Sequence, residues 1–213
     1  RIAMEEHFQT QGYLSCLRSR TDYPKVEVSR DRNNREMELL WCAPDYYLPR
    51  RPEISDSLHL DLMDARLRHM DEAGIDMQVL SLVYPGPEVF DAKTGATLAR
   101  ETNDELSDVI KRHPARFTGL AAIALQDPSG AADELERAVK QLGLQGAKIN
   151  SHVRGEYLDA EKYWVLFERA EKLGVPIYMH PREPSPDMLK PYLTYPALAG
   201  SMWGYAAETG LHA

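Results

Sequence analysis

The feature that most limits the fold of this chain is a regular alternation of helix-like and strand-like hydrophobic patterns from residue 56 onward. In the first helix-like stretch, apolar residues recur every three or four positions until Gly74, a typical helix stop. A continuous apolar strand over residues 77–83 follows it. The apolar positions of that first helix are Leu60, Met63, Leu67 and Met70. Alternating elements of this kind predict an α/β protein with parallel strands.

The later elements keep the same order. We expect strands over residues 117–124, 146–150 and 177–180, and helices over about 92–112, from Asp127 and Pro128 onward, over about 160–173, and from about 202 to the end. Asp127 is a typical N-cap, and Pro128 suits the first helical position. Repeated βα units with right-handed crossovers predict a (β/α)8 barrel of the TIM type, with about the first five units in this chain.

Residues 9–55 break this alternation. They are rich in charged and aromatic residues and show no clear period. A long insertion after the first strand of a barrel lies on the side where catalytic loops gather, so we interpret it as a lid or substrate-binding segment. For residues 25–38, which are strongly polar, the alternative is disorder. The prediction is one domain over residues 1–213, with this insertion inside it.

Two strand ends carry the candidate chemistry. Glu5 and His7 follow the apolar start of the first strand, and His180 ends the fifth. Residues two apart on a strand point to the same side, and the carboxyl ends of parallel strands share one crevice. A carboxylate and two imidazoles that meet there would suit a divalent metal. The alternative is that Glu5 pairs with an arginine and His180 is a hydrogen-bonded core histidine.

Composition excludes some classes of function. The net charge of −8 and the lack of a basic cluster argue against nucleic-acid binding. No apolar run approaches the roughly 20 residues needed to span a membrane. The two cysteines, Cys16 and Cys42, lack metal-site or redox-motif spacing, so we expect a reduced, cytoplasmic protein.

The chain resembles the metal-dependent decarboxylases of the amidohydrolase superfamily, which include γ-resorcylate, 2,3-dihydroxybenzoate and 5-carboxyvanillate decarboxylases. The likeness extends over nearly the whole chain. Glu5-x-His7 is similar to the resorcylate type, whereas residues 149–159 look most like the 5-carboxyvanillate type. The segments that carry the resemblance are residues 2–8, 66–71 with 74–76, 103–106, 114–117, 125–128, 178–181 and 208–212.

This resemblance implies non-oxidative decarboxylation of an aromatic ortho-hydroxycarboxylic acid, with one divalent metal, zinc or manganese, held by Glu5, His7 and His180. It further implies that Arg51 binds the substrate carboxylate, with Arg50 as the second choice. A planar guanidinium suits that role better than an ammonium group does. The other substrate-binding residues it implies are Leu40, Trp41 and Tyr205. The partners we expect are a small aromatic acid and further copies of the chain, as a dimer or tetramer.

Relatives of this type continue well past the position of Ala213. A metal-ligating aspartate on strand 8 and a histidine and glutamate on strand 6 are expected there, so the catalytic acid–base residues are expected beyond this sequence. Lys148 lies where some amidohydrolases carry a carboxylated lysine, and we interpret it as structural. Two other functions stay open: a hydrolase or hydratase acting on a ring-cleavage product, and an inactive fragment.

Overall fold

The computed structural model of the chain describes residues 1–212. Its helices and strands alternate as the hydrophobic pattern predicts, apart from the insertion near the start. In chain order the elements are β1 Ile2–Phe8, α1 Gln11–Arg18, β2 Lys25–Arg30, β3 Glu36–Ala43, β4 Tyr46–Arg50, α2 Pro52–Leu60, α3 Asp64–Ala73, β5 Met77–Leu82, α4 Ala92–Arg112, β6 Phe117–Gly119, β7 Ala121–Ala122, α5 Pro128–Lys140, β8 Ala147–Asn150, β9 His152–Val153, β10 Glu156–Tyr157, α6 Trp164–Leu173, β11 Ile177–His180, α7 Pro186–Leu189 and α8 Gly204–His212.

The parallel strands lie side by side in sequence order. β1 pairs with β5, β5 with β6, β7 with β8, and β8 with β11. Leu120 interrupts the predicted strand over residues 117–124, but its N–H donates to Leu80, and the N–H of Ala121 donates to Gly146. The two ladders therefore continue one another as an arc of a parallel α/β barrel. This arrangement confirms the predicted fold class and brings the carboxyl ends of β1 and β11 to one edge.

Helix ends follow the predicted signals. The side chain of Asp91 caps α4, and that of Asp127 caps α5 by accepting a hydrogen bond from the N–H of Gly130. Gly74 ends α3 and Gly174 ends α6, each with φ near 65°. That left-handed conformation favours glycine because a Cβ atom is strained there.

The hydrophobic pattern predicts a single helix through Leu60, Met63, Leu67 and Met70. This prediction is wrong, because the structure has two helices there. Asp61 ends α2 with extended backbone (ψ 99°), and its carboxylate accepts hydrogen bonds from the N–H groups of Met63 and Ala65. An aspartate that bonds its own following backbone favours a turn over a continuous helix.

The alternative of disorder over residues 25–38 does not hold. β2, β3 and β4 form an antiparallel sheet, and the turn between β2 and β3 contains Asn34 at φ 61°. Asp31 accepts hydrogen bonds from the N–H groups of Asn33 and Arg35 across that turn. Asparagine tolerates positive φ, so the Asn33-Asn34 pair is a sequence signal for a hairpin turn.

One hydrophobic core joins the insertion to the barrel strands. Tyr13, Leu17 and Leu40 of the insertion are buried in the same cluster as Leu80 and Ile149 of the parallel strands. The insertion is thereby fixed over the edge where the strands end. Among the described residues, no helix has the length and apolar character needed to cross a membrane.

Candidate metal centre

Glu5 and His7 owe their positions to an irregularity in β1. Between Ala3 and Glu6 this strand advances three residues while its partner advances only two, from Gln78 to Leu80. Such a bulge bends a strand and re-aims its side chains. Glu5 and His7 then face the arc interior, whereas Glu6 lies within 3.9 Å of Arg66.

His180 reaches the same point from β11. Its Nε2 lies 3.1 Å from Nε2 of His7 and 3.3 Å from Oε1 of Glu5. Nε2 of His7 lies 3.6 Å from that same oxygen. Residues 173 positions apart in sequence therefore meet as one cluster, which we call the triad: Glu5, His7 and His180.

The structure contradicts one half of the alternative explanation, the pairing of Glu5 with an arginine. Glu5 makes no ion pair with an arginine among residues 1–212, since Arg66 approaches Glu6 instead. His180 is buried, but its Nε2 faces another imidazole nitrogen and a carboxylate. Two imidazoles and one carboxylate that converge in this way fit the ligand set of a divalent metal.

Both imidazoles are neutral near pH 7. Burial lowers the pKa of His7 to about 4 and that of His180 to about 3, and the Lys148 charge is the second cause in each case. The Glu5 carboxylate opposes the shift at His7. Neutral imidazole nitrogens can donate a lone pair to a metal without first losing a proton.

The three donors have the spacing that a metal ion requires. Zinc ligands lie about 2.0–2.1 Å from the ion, so tetrahedral ligands are about 3.3 Å from one another. The donor separations of 3.1, 3.3 and 3.6 Å bracket that value. The residues therefore fit the one divalent ion that the sequence predicts.

Two further side chains contact the triad, and neither is among the residues predicted for the site. The hydroxyl of Tyr178 donates to Oε2 of Glu5, and Oγ of Ser81 lies 3.3 Å from Nδ1 of His7. Burial, and then the Glu5 contact, raises the pKa of Tyr178 to about 12. Both had a visible signal: Tyr178 precedes His180 by two positions, and Ser81 is a polar residue in an apolar strand.

A second group of charges is buried beside the triad. Nζ of Lys148 donates to the carbonyl of Leu82 at 3.0 Å, and burial lowers the pKa of Lys148 to about 8. Burial raises the pKa of Glu88, whose carboxylate accepts a hydrogen bond from Asn150. Because Lys148 Nζ is committed to a backbone carbonyl, its contacts agree with a structural role.

The predicted substrate-binding residues lie in the insertion and in α8, apart from the triad's own contacts. Arg51 is exposed at the start of α2, and Leu40 is buried in the core. The Trp41 ring packs on Tyr47 with centroids 4.8 Å apart, and Tyr205 of α8 is half-buried. Among the described residues no hydrogen bond or ion pair joins these side chains to the triad, and their roles remain predictions.

Arg50, the second choice for the substrate carboxylate, is already engaged. Its guanidinium lies 3.2 Å from Glu38 and 3.3 Å from Asp56. Arg18 contacts the same two carboxylates at 2.6 Å each. Arg50 therefore belongs to a structural ion-pair cluster, and Arg51 is the arginine of this pair that remains free of a carboxylate among the described residues.

Comparison with known proteins agrees with this geometry. The family described as Amidohydrolase matches residues 39–213. The chain belongs to this amidohydrolase family. The match includes β11 with His180, whereas Glu5 and His7 precede it.

Curated relatives of this amidohydrolase include decarboxylases. It is 36% identical over 220 residues to the gamma-resorcylate decarboxylase of Polaromonas sp. (strain JS666 / ATCC BAA-500), covering 100% of this chain and 60% of that protein. It is 40% identical over 161 residues to the gamma-resorcylate decarboxylase of Rhizobium radiobacter, covering 72% of this chain and 49% of that protein.

Solved structures give the same result. The 5-carboxyvanillate decarboxylase LigW from Sphingomonas paucimobilis has a TM-score of 0.83 at 37% identity, over 99% of this chain and 60% of that one. The dihydroxybenzoic acid decarboxylase from Polaromonas sp. JS666, with bound manganese and 2-nitroresorcinol, has a TM-score of 0.77 at 34% identity, over 100% and 58%. This amidohydrolase thus spans between about half and 60% of the length of these relatives.

Proposed function

We propose that this amidohydrolase is a metal-dependent, non-oxidative decarboxylase of an aromatic ortho-hydroxycarboxylic acid. The observation that carries the proposal is the triad of Glu5, His7 and His180, whose donor atoms all lie within 4.8 Å of one another. The similarity to gamma-resorcylate and 5-carboxyvanillate decarboxylases supports the substrate class.

In this proposal the triad holds one divalent ion, manganese or zinc. When bound, the ion would supply Lewis-acid stabilisation of negative charge on the substrate oxygens. The neutral imidazoles of His7 and His180 leave the Glu5 carboxylate as the one anionic ligand among the described residues. The triad therefore keeps a net positive charge with a divalent ion, which suits an anionic substrate.

The reaction itself breaks the bond between the ring and the carboxylate, releases CO2 and places a proton on the ring carbon. Arg51 is proposed to bind the carboxylate through a bidentate contact, with Leu40, Trp41 and Tyr205 around the ring. The acid–base residues expected beyond Ala213 lie outside the described residues. We further propose an oligomeric enzyme of aromatic catabolism located in the cytoplasm, where the free thiols Cys16 and Cys42 would stay reduced.

The proposal can be tested by metal quantitation on the purified protein, followed by a screen of hydroxybenzoates with detection of CO2 and the matching phenol. The expected result is one bound divalent ion and release of CO2 from an ortho-hydroxybenzoate, abolished by chelation and restored by Mn²⁺ or Zn²⁺. Water uptake by a ring-cleavage product without CO2 would instead favour a hydratase. A relative named 2-keto-4-carboxy-3-hexenedioate hydratase, 29% identical over 179 residues, makes that outcome worth testing.

A further inference from the structure

The two oxygens of Glu5 have different surroundings. Oε1 faces the imidazoles, 3.3 Å from His180 and 3.6 Å from His7. Oε2 accepts the hydrogen bond of the Tyr178 hydroxyl. The Glu5 side chain is 42% exposed, so without that bond little in the described residues would fix its rotation. Tyr178 therefore engages one carboxylate oxygen and leaves the other facing the metal position.

Tyr178 can do this because of its place on β11. Tyr178 and His180 are two residues apart on this strand and point to the same side. They contact the same residue of β1, His180 at one carboxylate oxygen and Tyr178 at the other. One strand thus supplies both a ligand and the group that orients a second ligand.

Ser81 contacts the candidate ligand His7, as Tyr178 contacts Glu5. The two residues are register partners on β5 and β1, and Ser81 is buried, with Oγ 3.3 Å from Nδ1 of His7. A buried hydroxyl in an apolar strand costs stability unless it is bonded. If Nδ1–H of His7 donates to this oxygen, Nε2 carries the lone pair and faces His180 and Glu5. Donation in that direction would select the tautomer that can bind a metal.

We infer that Tyr178 and Ser81 are positioning residues of the metal centre: Tyr178 presents Glu5 through Oε1 alone, and Ser81 presents His7 through Nε2. This inference rests on the proposed metal site and adds how its ligands are oriented. A carboxylate held through one oxygen occupies one coordination position rather than two, which leaves space beside the triad for a chelating substrate.

The test uses Tyr178→Phe and Ser81→Ala in the protein, with Mn²⁺ affinity measured by calorimetry. Loss of an outer-shell partner typically weakens metal binding about 10–100-fold, and we expect a change of that size for each variant. Ser81→Thr, which keeps the hydroxyl, should restore affinity. Tyr195→Phe, at a tyrosine that is 68% exposed, is the matched control and should bind Mn²⁺ as the unchanged protein does.

Two spectroscopic readouts separate positioning from a general loss of structure. The visible absorption of the Co²⁺-loaded protein reports coordination number, and it should change in Tyr178→Phe if Glu5 then binds through both oxygens. Long-range ¹H–¹⁵N NMR of the metal-free protein should find His7 as the Nδ1–H tautomer, and a mixture of tautomers in Ser81→Ala. Neither readout depends on turnover.

The outcomes are distinguishable. Unchanged Mn²⁺ affinity and Co²⁺ absorption in Tyr178→Phe, with metal lost in His180→Ala, would overturn the positioning role and leave the metal site intact. Metal binding that survives His180→Ala would overturn the site itself, and the inference with it. A variant that loses affinity and also unfolds without metal would count against positioning, because the side chain would then be needed for the fold.

Discussion

Two polar clusters of this amidohydrolase differ in whether their charges are paired. The triad brings one carboxylate and two neutral imidazoles together, with no cation in contact. The arginine–carboxylate cluster, which ties the insertion to α2, brings two positive and two negative side chains together at 2.6–3.3 Å. Its members are Arg18, Glu38, Arg50 and Asp56.

The pairing of charges is the property that distinguishes a candidate ligand site from a structural cluster. In the arginine–carboxylate cluster every charge has an opposite partner, as buried charges require. In the triad, Nε2 of His7, Nε2 of His180 and Oε1 of Glu5 lie 3.1–3.6 Å from one another, and no Lys or Arg side chain forms an ion pair with Glu5 among the described residues. A cluster in which every charge has an opposite partner stabilises the fold, whereas the triad, whose carboxylate has no Lys or Arg partner among the described residues, is the cluster that we propose binds a metal ion.

The largest effect should come from removing a ligand of the triad. His180→Ala should weaken Mn²⁺ binding by more than about 100-fold, because even the loss of an outer-shell contact costs about 10–100-fold. Decarboxylase activity should be lost with the metal. Metal content after dialysis, measured by mass spectrometry, checks this prediction.

A matched control for that experiment is His69→Ala, at an exposed histidine of α3. It should keep both metal and activity. His180→Gln keeps most of the side-chain volume, so it separates ligand loss from any packing defect. Full metal content and turnover in His180→Gln and His180→Ala would show that the triad is not the metal centre.

The next effect belongs to the arginine–carboxylate cluster. Glu38 is buried between Arg18 and Arg50, so Glu38→Gln removes a charge that both guanidiniums need. Breaking a buried ion pair costs about 3–5 kcal/mol, and the partial exposure of Arg18 places our expectation near 3 kcal/mol. Mn²⁺ affinity should not change. Urea unfolding, compared with calorimetry on the same sample, measures both quantities.

Glu27→Gln is the control for this prediction, because Glu27 pairs with Lys25 at an exposed site. Exposed pairs contribute little to stability because water screens them, so this variant should be close to neutral. If Glu38→Gln also released the metal, the two clusters would be coupled and the comparison between them would fail.

The barrel and the insertion differ in how far the sequence predicts them. The parallel strands are short, continuously apolar and bounded by helix caps such as Asp127 and stops such as Gly174, so local pattern and tertiary role agree. In the insertion, β2 alternates valines with polar residues, none of its residues is buried, and its backbone pairing with β3 makes it a strand. Apart from the Asn33-Asn34 turn, no local pattern in this polar segment indicates that pairing.

The residues of the candidate site also differ in how far the sequence predicts them. Glu5, His7 and His180 are predictable because strand ends of parallel sheets meet at one edge and carry ligand-type side chains. The contacts of Tyr178 and Ser81 depend on the bulge in β1 and on its register with β5, which no residue pattern specifies. Residue type predicts the candidate ligands, whereas backbone register brings the groups that we propose orient them.

The smallest expected effect distinguishes two neighbouring arginines. Arg50 belongs to the arginine–carboxylate cluster, whereas the Arg51 side chain is exposed and has no hydrogen bond or ion pair among the described residues. If Arg51 binds the substrate carboxylate, Arg51→Lys replaces a planar fork with a point charge. We expect kcat/KM to fall about ten-fold, equivalent to about 1.4 kcal/mol, without any change in metal content or stability.

Arg68→Lys is the matched control, because Arg68 is likewise an exposed arginine, on α3. Steady-state kinetics on the substrate found by the hydroxybenzoate screen compare the two variants. A fall in kcat/KM in Arg51→Lys alone would indicate that Arg51 binds the substrate carboxylate, as the triad is proposed to bind the metal. Equal kcat/KM in both variants would make Arg51 a solvated surface residue, because an unpaired charge marks a binding site only when a ligand supplies its partner.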